Sequence, residues 1–181
     1  MKGDNVMKTN TKKMVTLSML SAISVILVFL IRIPFPGAPF LEYDPADVSI
    51  IIATLIYGPL SGLMVTVAVS VLQGITVSAG SGGLIGIIMH IFSTGMFVVA
   101  TGFLRKNLGE KYIIVAVMLG ALAMTLTMIL WNLIFTPLFM NQPFEVVKGM
   151  IIPVILPFNL IKSFLNGFIS LLVYSVIKRV L

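Results

Sequence analysis

Three polar side chains recur on one otherwise apolar helix predicted near the carboxyl end of the chain. Asn159, Lys162 and Asn166 follow one another at i, i+3 and i+7, so they share one face of that helix. A buried ammonium group in a membrane helix normally faces protein or a water-filled cavity. Carboxamides donate and accept hydrogen bonds, and an ammonium donates them. Asn159 and Lys162 therefore predict a ligand site, whereas Asn166 is expected to hydrogen-bond a neighbouring helix.

A second carboxamide, Asn132, follows the only tryptophan, Trp131, on the preceding predicted helix. Asn132 comes shortly before Pro137, and Asn159 comes shortly after Pro157, on helices expected to run in opposite directions. The two asparagines are therefore predicted at similar depth, in the outer half of a membrane. Trp131 could line the same pocket or belong to the interfacial aromatic belt.

Residues 33–47 hold four prolines and half of the acidic residues of the chain. Proline fixes φ and removes a backbone donor, so this stretch predicts an ordered, stiff loop. We call it the lid loop, because Phe40, Leu41 and Tyr43 could cover a flat ligand from the outer side. An amphipathic loop that rests among lipid headgroups is the alternative.

The remaining polar residues indicate little further chemistry. His90 has no second ligand at metal spacing, so no metal site is expected. Gln73 is consistent with interhelical hydrogen bonding or with pocket lining. Asp47 precedes an apolar run and is expected to cap a helix. There is no P-loop, no nucleophile motif and no buried carboxylate in the predicted helices, so an ATPase, an enzyme and a stand-alone secondary transporter are all disfavoured.

Composition places these residues in a membrane protein. Hydrophobic residues make up 59% of the 181 residues and charged residues only 10%. The apolar runs are continuous rather than alternating, which predicts an all-α integral membrane protein instead of a barrel. The net charge of +6 comes from basic residues at the ends of these runs, so nucleic-acid binding is not expected.

The apolar runs predict a single membrane domain, 1–181, with six transmembrane helices. A short tail at 1–13 precedes helix 1, and the lid loop separates helices 1 and 2. Helix 2 is expected to span only about 15 Å, so it could be a short tilted helix or half of a re-entrant hairpin. A glycine- and serine-rich loop at 78–83 separates helices 3 and 4. The predicted helices are 14–32, 48–57, 60–77, 84–104, 112–136 and 157–177.

Basic residues predict the orientation. Arg105, Lys106 and Lys111 lie between helices 4 and 5, and Lys178 and Arg179 follow helix 6. The positive-inside rule then predicts cytoplasmic amino and carboxyl termini, an outward lid loop and a location in the cell membrane.

Helix 1 carries a small-xxx-small pair, Ser18 and Ala22, which would let another helix approach closely. That helix could belong to the same chain or to a partner subunit.

Taken together, these motifs resemble the substrate-binding membrane subunits of energy-coupling factor (ECF) vitamin transporters, in particular the riboflavin-specific ones. The run Pro36-Gly-Ala-Pro-Phe-Leu-Glu-Tyr-Asp-Pro-Ala-Asp47 carries the resemblance, together with Tyr57-Gly-Pro59, Trp131-Asn132 and Pro157-Phe-Asn-Leu-Ile-Lys162.

The resemblance implies high-affinity capture of riboflavin outside the cell, as a transported ligand rather than a cofactor. It implies as partners a transmembrane coupling protein, which would dock on Ser18 and Ala22, and two cytosolic ATPases. It also implies that Asn132, Asn159 and Lys162 bind the ligand beneath Phe40, Leu41 and Tyr43. Another vitamin, or stand-alone secondary transport, is the alternative function.

Overall fold

The computed structural model describes residues 2–76 and 83–179. In chain order these form α1 (Lys2–Leu30), β1 (Ile33–Phe35), β2 (Ala38–Tyr43), α2 (Ala46–Tyr57), α3 (Pro59–Thr76) and α4 (Gly83–Leu108). A 3₁₀ turn (Glu110–Tyr112) then leads into α5 (Ile113–Met140) and α6 (Phe144–Met150). A π-helical segment (Ile151–Ile155) joins α6 to α7 (Leu156–Ile177). Apart from Gly83, the loop predicted at 78–83 lies outside the described residues.

Five helical segments of the described chain are long and apolar enough to cross a membrane. They are Asn10–Leu30, Pro59–Thr76, Gly83–Leu108, Glu110–Leu138 and Phe144–Ile177. The sixth apolar helix, α2, is shorter. Its residues from Ala46 to Leu55 are all buried, and it packs against α1, α3, α4 and α7. Because protein surrounds α2, the helix needs no hydrophobic match to the bilayer.

Residues predicted as the lid loop form a β-hairpin and the start of α2. β1 and β2 pair antiparallel, with Ile33 opposite Tyr43, and the turn between them contains Gly37 at φ +80°. The sequence Pro36-Gly37 is the signature of a type II turn, whose third residue requires a positive φ. A two-stranded sheet has only edge strands, which tolerate proline. The prolines therefore permit strands here as well as a loop.

Two predicted helix boundaries differ from the structure. Helix 1 begins at Lys2, so most of the predicted tail 1–13 is helical. The last spanning segment begins at Phe144, well before the predicted start at residue 157. Pro153 and Pro157 do not end this helix, because Pro153 lies in the π-helical segment and Pro157 occupies the first turn of α7.

The hairpin packs on the last spanning segment. Ala38 and Leu41 of the hairpin share a buried apolar cluster with Val147, Ile155 and Phe158. The rings of Phe35 and Phe158 meet edge to face, with centroids 5.4 Å apart. These contacts hold the hairpin over one end of the helix bundle.

Small residues allow the helices to approach one another closely. At Gly120 on α5, an added Cβ would lie 2.1 Å from Oγ1 of Thr101 and 2.7 Å from the ring of Phe97, both on α4. Such close backbone approach is typical of membrane helix interfaces. This close packing fixes the position of α5 relative to α4, and both helices contribute to the site.

Candidate functional site

A cavity of about 190 Å³ lies beneath the hairpin. β2, the end of α1, α3, α4, α5 and α7 all contribute to its wall. Apolar side chains line much of it, and the polar groups come from several different helices. An apolar pocket with a few converging polar groups is the usual form of a small-molecule site.

Asn132 and Asn159 line this cavity from α5 and α7. Nδ2 of Asn132 donates to the carbonyl of Met128 at 2.8 Å, and Nδ2 of Asn159 donates to the carbonyl of Ile155 at 2.8 Å. Oδ1 of Asn132 accepts from Thr136. Each carboxamide has two donor hydrogens and two acceptor lone pairs, so each keeps hydrogen-bonding capacity for a ligand.

Lys162 also lines the cavity, and it has a partner that the sequence analysis did not anticipate. Nζ of Lys162 donates to Oδ2 of Asp44 at 2.8 Å and to the carbonyl of Glu42 at 3.3 Å. The two charged side chains are only 8% and 15% exposed. The pair therefore joins α7 to the segment that follows β2, and one positive and one negative charge face the same cavity.

Of the three lid residues, Phe40 and Leu41 line the cavity, whereas Tyr43 does not. The hydroxyl of Tyr43 instead donates to Oδ1 of Asn166 at 3.0 Å. Burial, followed by the nearby negative charge of Asp44, raises the pKa of Tyr43 above its ordinary value. The phenol therefore remains a donor at neutral pH and holds the Asn166 side chain in one orientation.

Trp131 lies beside the cavity rather than in its wall. Its ring stacks on Phe135 with centroids 5.2 Å apart, and it meets Phe92 at 5.1 Å. Phe135 does line the cavity. The ring of Phe135 therefore lies between the indole and the cavity, in which the sequence predicted that Trp131 would contact the ligand.

A buried polar network adjoins the cavity and corrects two expectations, one about Asp47 as a helix cap and one about buried carboxylates. Asp47 is fully buried in the first turn of α2, while Pro45 occupies the cap position, so Asp47 is not the predicted N-cap. Oδ1 of Asp47 lies 3.2 Å from Nε2 of His90 and accepts from Thr94 at 2.9 Å. The other carboxylate oxygen accepts from Asn166 at 3.3 Å. His90 thus has a carboxylate partner, and the inference that the helices contain no buried carboxylate is wrong.

Sequence reasoning missed these contacts because the partners are far apart along the chain. The pair Lys162–Asp44 joins residues 118 positions apart, and His90–Asp47 joins residues 43 positions apart. The one signal in the sequence was that charged residues are scarce, so each carboxylate near an apolar run could have been expected to have a specific partner. A carboxylate in an apolar chain must find a donor or a cation if it is buried.

An ion pair ties the hairpin to α1. Nε of Arg32, just after α1, donates to Oε2 of Glu42 on β2, and both side chains line the cavity. Together with Lys162, this pair gives the hairpin an ionic contact with the first and the last spanning segments.

Ser18 and Ala22 lie away from the cavity, on the exposed face of α1. The opposite face of α1 packs into the bundle, where Oγ of Ser24 donates to the carbonyl of Ala46 at 3.0 Å. Within residues 2–76 and 83–179, no group of three or more His, Cys, Asp or Glu side chains could hold a metal ion.

Comparison with known proteins identifies relatives over nearly the whole chain. The family model described as "ECF transporter, substrate-specific component" matches residues 12–174. The riboflavin transporter FmnP of Bacillus subtilis (strain 168) is 37% identical over 175 residues, which cover 92% of this chain and 90% of that protein. The riboflavin transporter RibU of Streptococcus thermophilus is 28% identical, over 98% of this chain and 88% of that protein.

A solved structure, described as the structure and mechanism of the S component of a bacterial ECF transporter, has the same fold. It superposes with a TM-score of 0.79 and 26% identity, over 94% of this chain and 97% of that chain. The predicted fold class, an all-α integral membrane protein, is confirmed.

Proposed function

Because this chain belongs to the family of ECF transporter substrate-specific components, we propose that it binds riboflavin outside the cell and delivers it inward with a coupling module. The observation that carries the proposal is the cavity beneath the hairpin, where Asn132, Asn159 and Lys162 meet Phe40 and Leu41. We propose riboflavin as the ligand because two relatives of the chain are named riboflavin transporters.

The polar groups on α5 and α7 suit the pyrimidine edge of the flavin ring. That edge presents two carbonyl acceptors on either side of an N–H donor. Asn132 and Asn159 can answer both kinds of group, and Lys162 can donate to a carbonyl. Phe40, Leu41 and Phe158 offer apolar surface to the ring faces.

Two of the predicted ligand residues take indirect roles in this proposal. Tyr43 orients Asn166, which also donates from Nδ2 to the carbonyl of Asp44, and so helps to place the partner of Lys162. Trp131 supports Phe135, which faces the ligand.

The hairpin is proposed to open for the ligand. A cavity of about 190 Å³ is smaller than the roughly 300 Å³ at which drug-sized ligand pockets begin. Riboflavin therefore requires the cavity to expand, and the hairpin is the part of its wall that is not a spanning helix. Outward movement of the hairpin breaks the Arg32–Glu42 and Lys162–Asp44 pairs.

Transport itself is proposed to depend on partners, namely a transmembrane coupling protein and two cytosolic ATPases. The chain has no P-loop, and the exposed face of α1 offers Ser18 and Ala22 for helix docking. The basic residues near the start of α1 and at the ends of α4 and α7 support cytoplasmic termini in the cell membrane.

Riboflavin titration of the purified chain, stripped of ligand in detergent, tests the binding function. We expect saturable quenching of Trp131 emission at submicromolar riboflavin, because the indole lies one ring from the cavity. Asn132→Ala and Lys162→Ala should each weaken binding at least about tenfold, since each removes a buried polar partner. Asn107→Ala and Lys106→Ala, exposed at the far end of α4, are matched controls that should bind normally. Absence of saturable binding by the unmodified chain would refute the proposal.

A further inference from the structure

Gln73 is a buried carboxamide that the proposed site leaves unused. It lies near the end of α3, it is 8% exposed, and it lines the cavity. Among residues 2–76 and 83–179, its side chain has no hydrogen-bond partner. The carboxamide of Gln73 therefore reaches the cavity with its hydrogen-bonding groups unused, which suits a polar group of a ligand.

The neighbours of Gln73 are already occupied, which singles out its carboxamide on this side of the cavity. Oγ of Ser70 donates to the carbonyl of Thr66 at 2.6 Å and lies 2.7 Å from Nδ1 of His90. Nε2 of His90 faces Asp47. Ser70 and His90 therefore have their polar atoms engaged within the protein, whereas Gln73 keeps both donors and its acceptor.

Gln73 reaches the cavity from a different part of the bundle than the other carboxamides. α3 packs against α1, α2 and α4, whereas α5, which carries Asn132, packs against α4 and against α7, which carries Asn159. The cavity thus has carboxamides on helices that do not pack closely together, α3 on one side and α5 with α7 on the other. A ligand that bonds both groups must itself be polar at two separated places.

We propose that Gln73 binds the hydroxyl chain of the ligand and thereby selects a flavin that carries a polyol. This inference rests on the proposed function. When the pyrimidine edge meets Asn132, Asn159 and Lys162, the ribityl chain leaves N10 of the central ring, beside the pyrimidine ring, and in this proposal it runs toward α3. Each hydroxyl is both a donor and an acceptor, and a carboxamide provides both complements.

The experiment compares riboflavin with lumiflavin, which has the same ring but a methyl group in place of the ribityl chain. Dissociation constants for both are measured on the full chain and on Gln73→Met, which keeps side-chain length and removes the polar atoms. We expect riboflavin to bind about ten- to thirtyfold more weakly, the effect of losing one or two hydrogen bonds, while lumiflavin changes less than about twofold. Gln142→Met, in an exposed loop, is the matched control and should leave both constants unchanged.

The alternative outcomes are distinguishable. Equal weakening of both flavins would overturn the proposal in favour of a purely structural role, and unchanged riboflavin binding would overturn it outright. If Gln73→Met does not fold, Gln73→Asn carries the same comparison, because it shortens the side chain but keeps the amide. Failure of the unmodified chain to bind either flavin would refute the proposed function and this inference together.

Discussion

Lys162 and Asp44 form a buried ion pair, in which either charge without the other would be unfavourable. Desolvation of two charges costs several kcal/mol each, and their attraction offsets that cost only while both are present. Lys162 is 8% exposed and Asp44 is 15% exposed, so solvent screens them little. The pair is therefore expected to matter more for the position of the hairpin than for net stability.

Asp44→Leu alone should lower the free energy of unfolding by roughly 3–5 kcal/mol, because it leaves the Lys162 ammonium buried without its main partner. The double variant Asp44→Leu with Lys162→Met should recover much of that loss, although neither variant should bind riboflavin tightly. Thermal unfolding in detergent measures the first effect and flavin titration the second. A double variant at least as unstable as the single one would contradict this account.

Three residues that line the cavity could be singled out from the sequence, because of their chemistry within an apolar chain. Asn132, Asn159 and Lys162 stand out because membrane helices rarely carry such groups without a use. Asp47 could not be placed, because a carboxylate just before an apolar run has the same local pattern whether it caps the helix or faces the bundle. Only the fold brings His90 and Thr94 to it.

The hairpin shows why strands were not predicted. Three residues in β1 and six in β2 give too little alternation to signal a strand, and four prolines in the region argue against one. The fixed φ of proline predicts a stiff, ordered region, and the structure shows a paired hairpin there. Pro36-Gly37 signals the turn locally, but the pairing also depends on packing against Phe158, which is a tertiary contact.

Gly37→Ala should speed the release of bound flavin. No atom lies within 4 Å of the added Cβ, so the change acts through backbone strain at φ +80°. A non-glycine residue in the left-handed region costs about 1–2 kcal/mol, which corresponds to a five- to thirtyfold increase in dissociation rate if the closed hairpin bears the whole strain.

Stopped-flow fluorescence measures this rate. Gly149→Ala is a matched control, because Gly149 also has open space around it and no positive φ. An unchanged dissociation rate in Gly37→Ala would show that the hairpin does not control release.

The helices were easier to predict than their ends. Five apolar runs correspond to the five long segments. A continuous apolar run in lipid must satisfy its backbone hydrogen bonds within itself, and a helix does so. The helical residues 144–156 were not predicted as part of the last helix, because prolines usually end helices. Here a π-helical segment accommodates Pro153 and the helix continues.

Seen as a whole, the bundle has a charged cluster at each end. Opposite the cavity, the guanidinium of Arg105 at the end of α4 donates to the carbonyl of Leu55, and to Glu110 and Tyr174 at 2.8 Å each. Lys178 also donates to Glu110 at 2.8 Å. This cluster fastens α2, α4 and α7 at the end where the basic residues predict the cytoplasm.

Ser18→Trp and Ala22→Trp should separate binding from transport. Both residues are exposed and distant from the cavity, so riboflavin affinity should change less than about twofold, as is usual for surface substitutions. A bulky ring should prevent close helix approach and abolish ATP-driven uptake in liposomes that contain the coupling module.

Ser175→Trp, an exposed small residue on α7, is the control and should retain uptake. Liposomes with this chain alone should accumulate no riboflavin under an ion gradient. Uptake by the chain alone would favour stand-alone secondary transport, and normal uptake by both α1 variants would refute docking at Ser18 and Ala22.

With the hairpin closed, a short connection and an ion pair link the position of the hairpin to that of α1. Only Ile31 and Arg32 separate them, and Arg32 is bonded to β2 through Glu42. From Ala22 to the end of α1 the distance along the helix axis is about 12 Å. With the docking proposed at Ser18 and Ala22, tilting of α1 by a coupling protein would move the hairpin directly. The cavity would then be uncovered by a movement that starts at the partner rather than at the ligand.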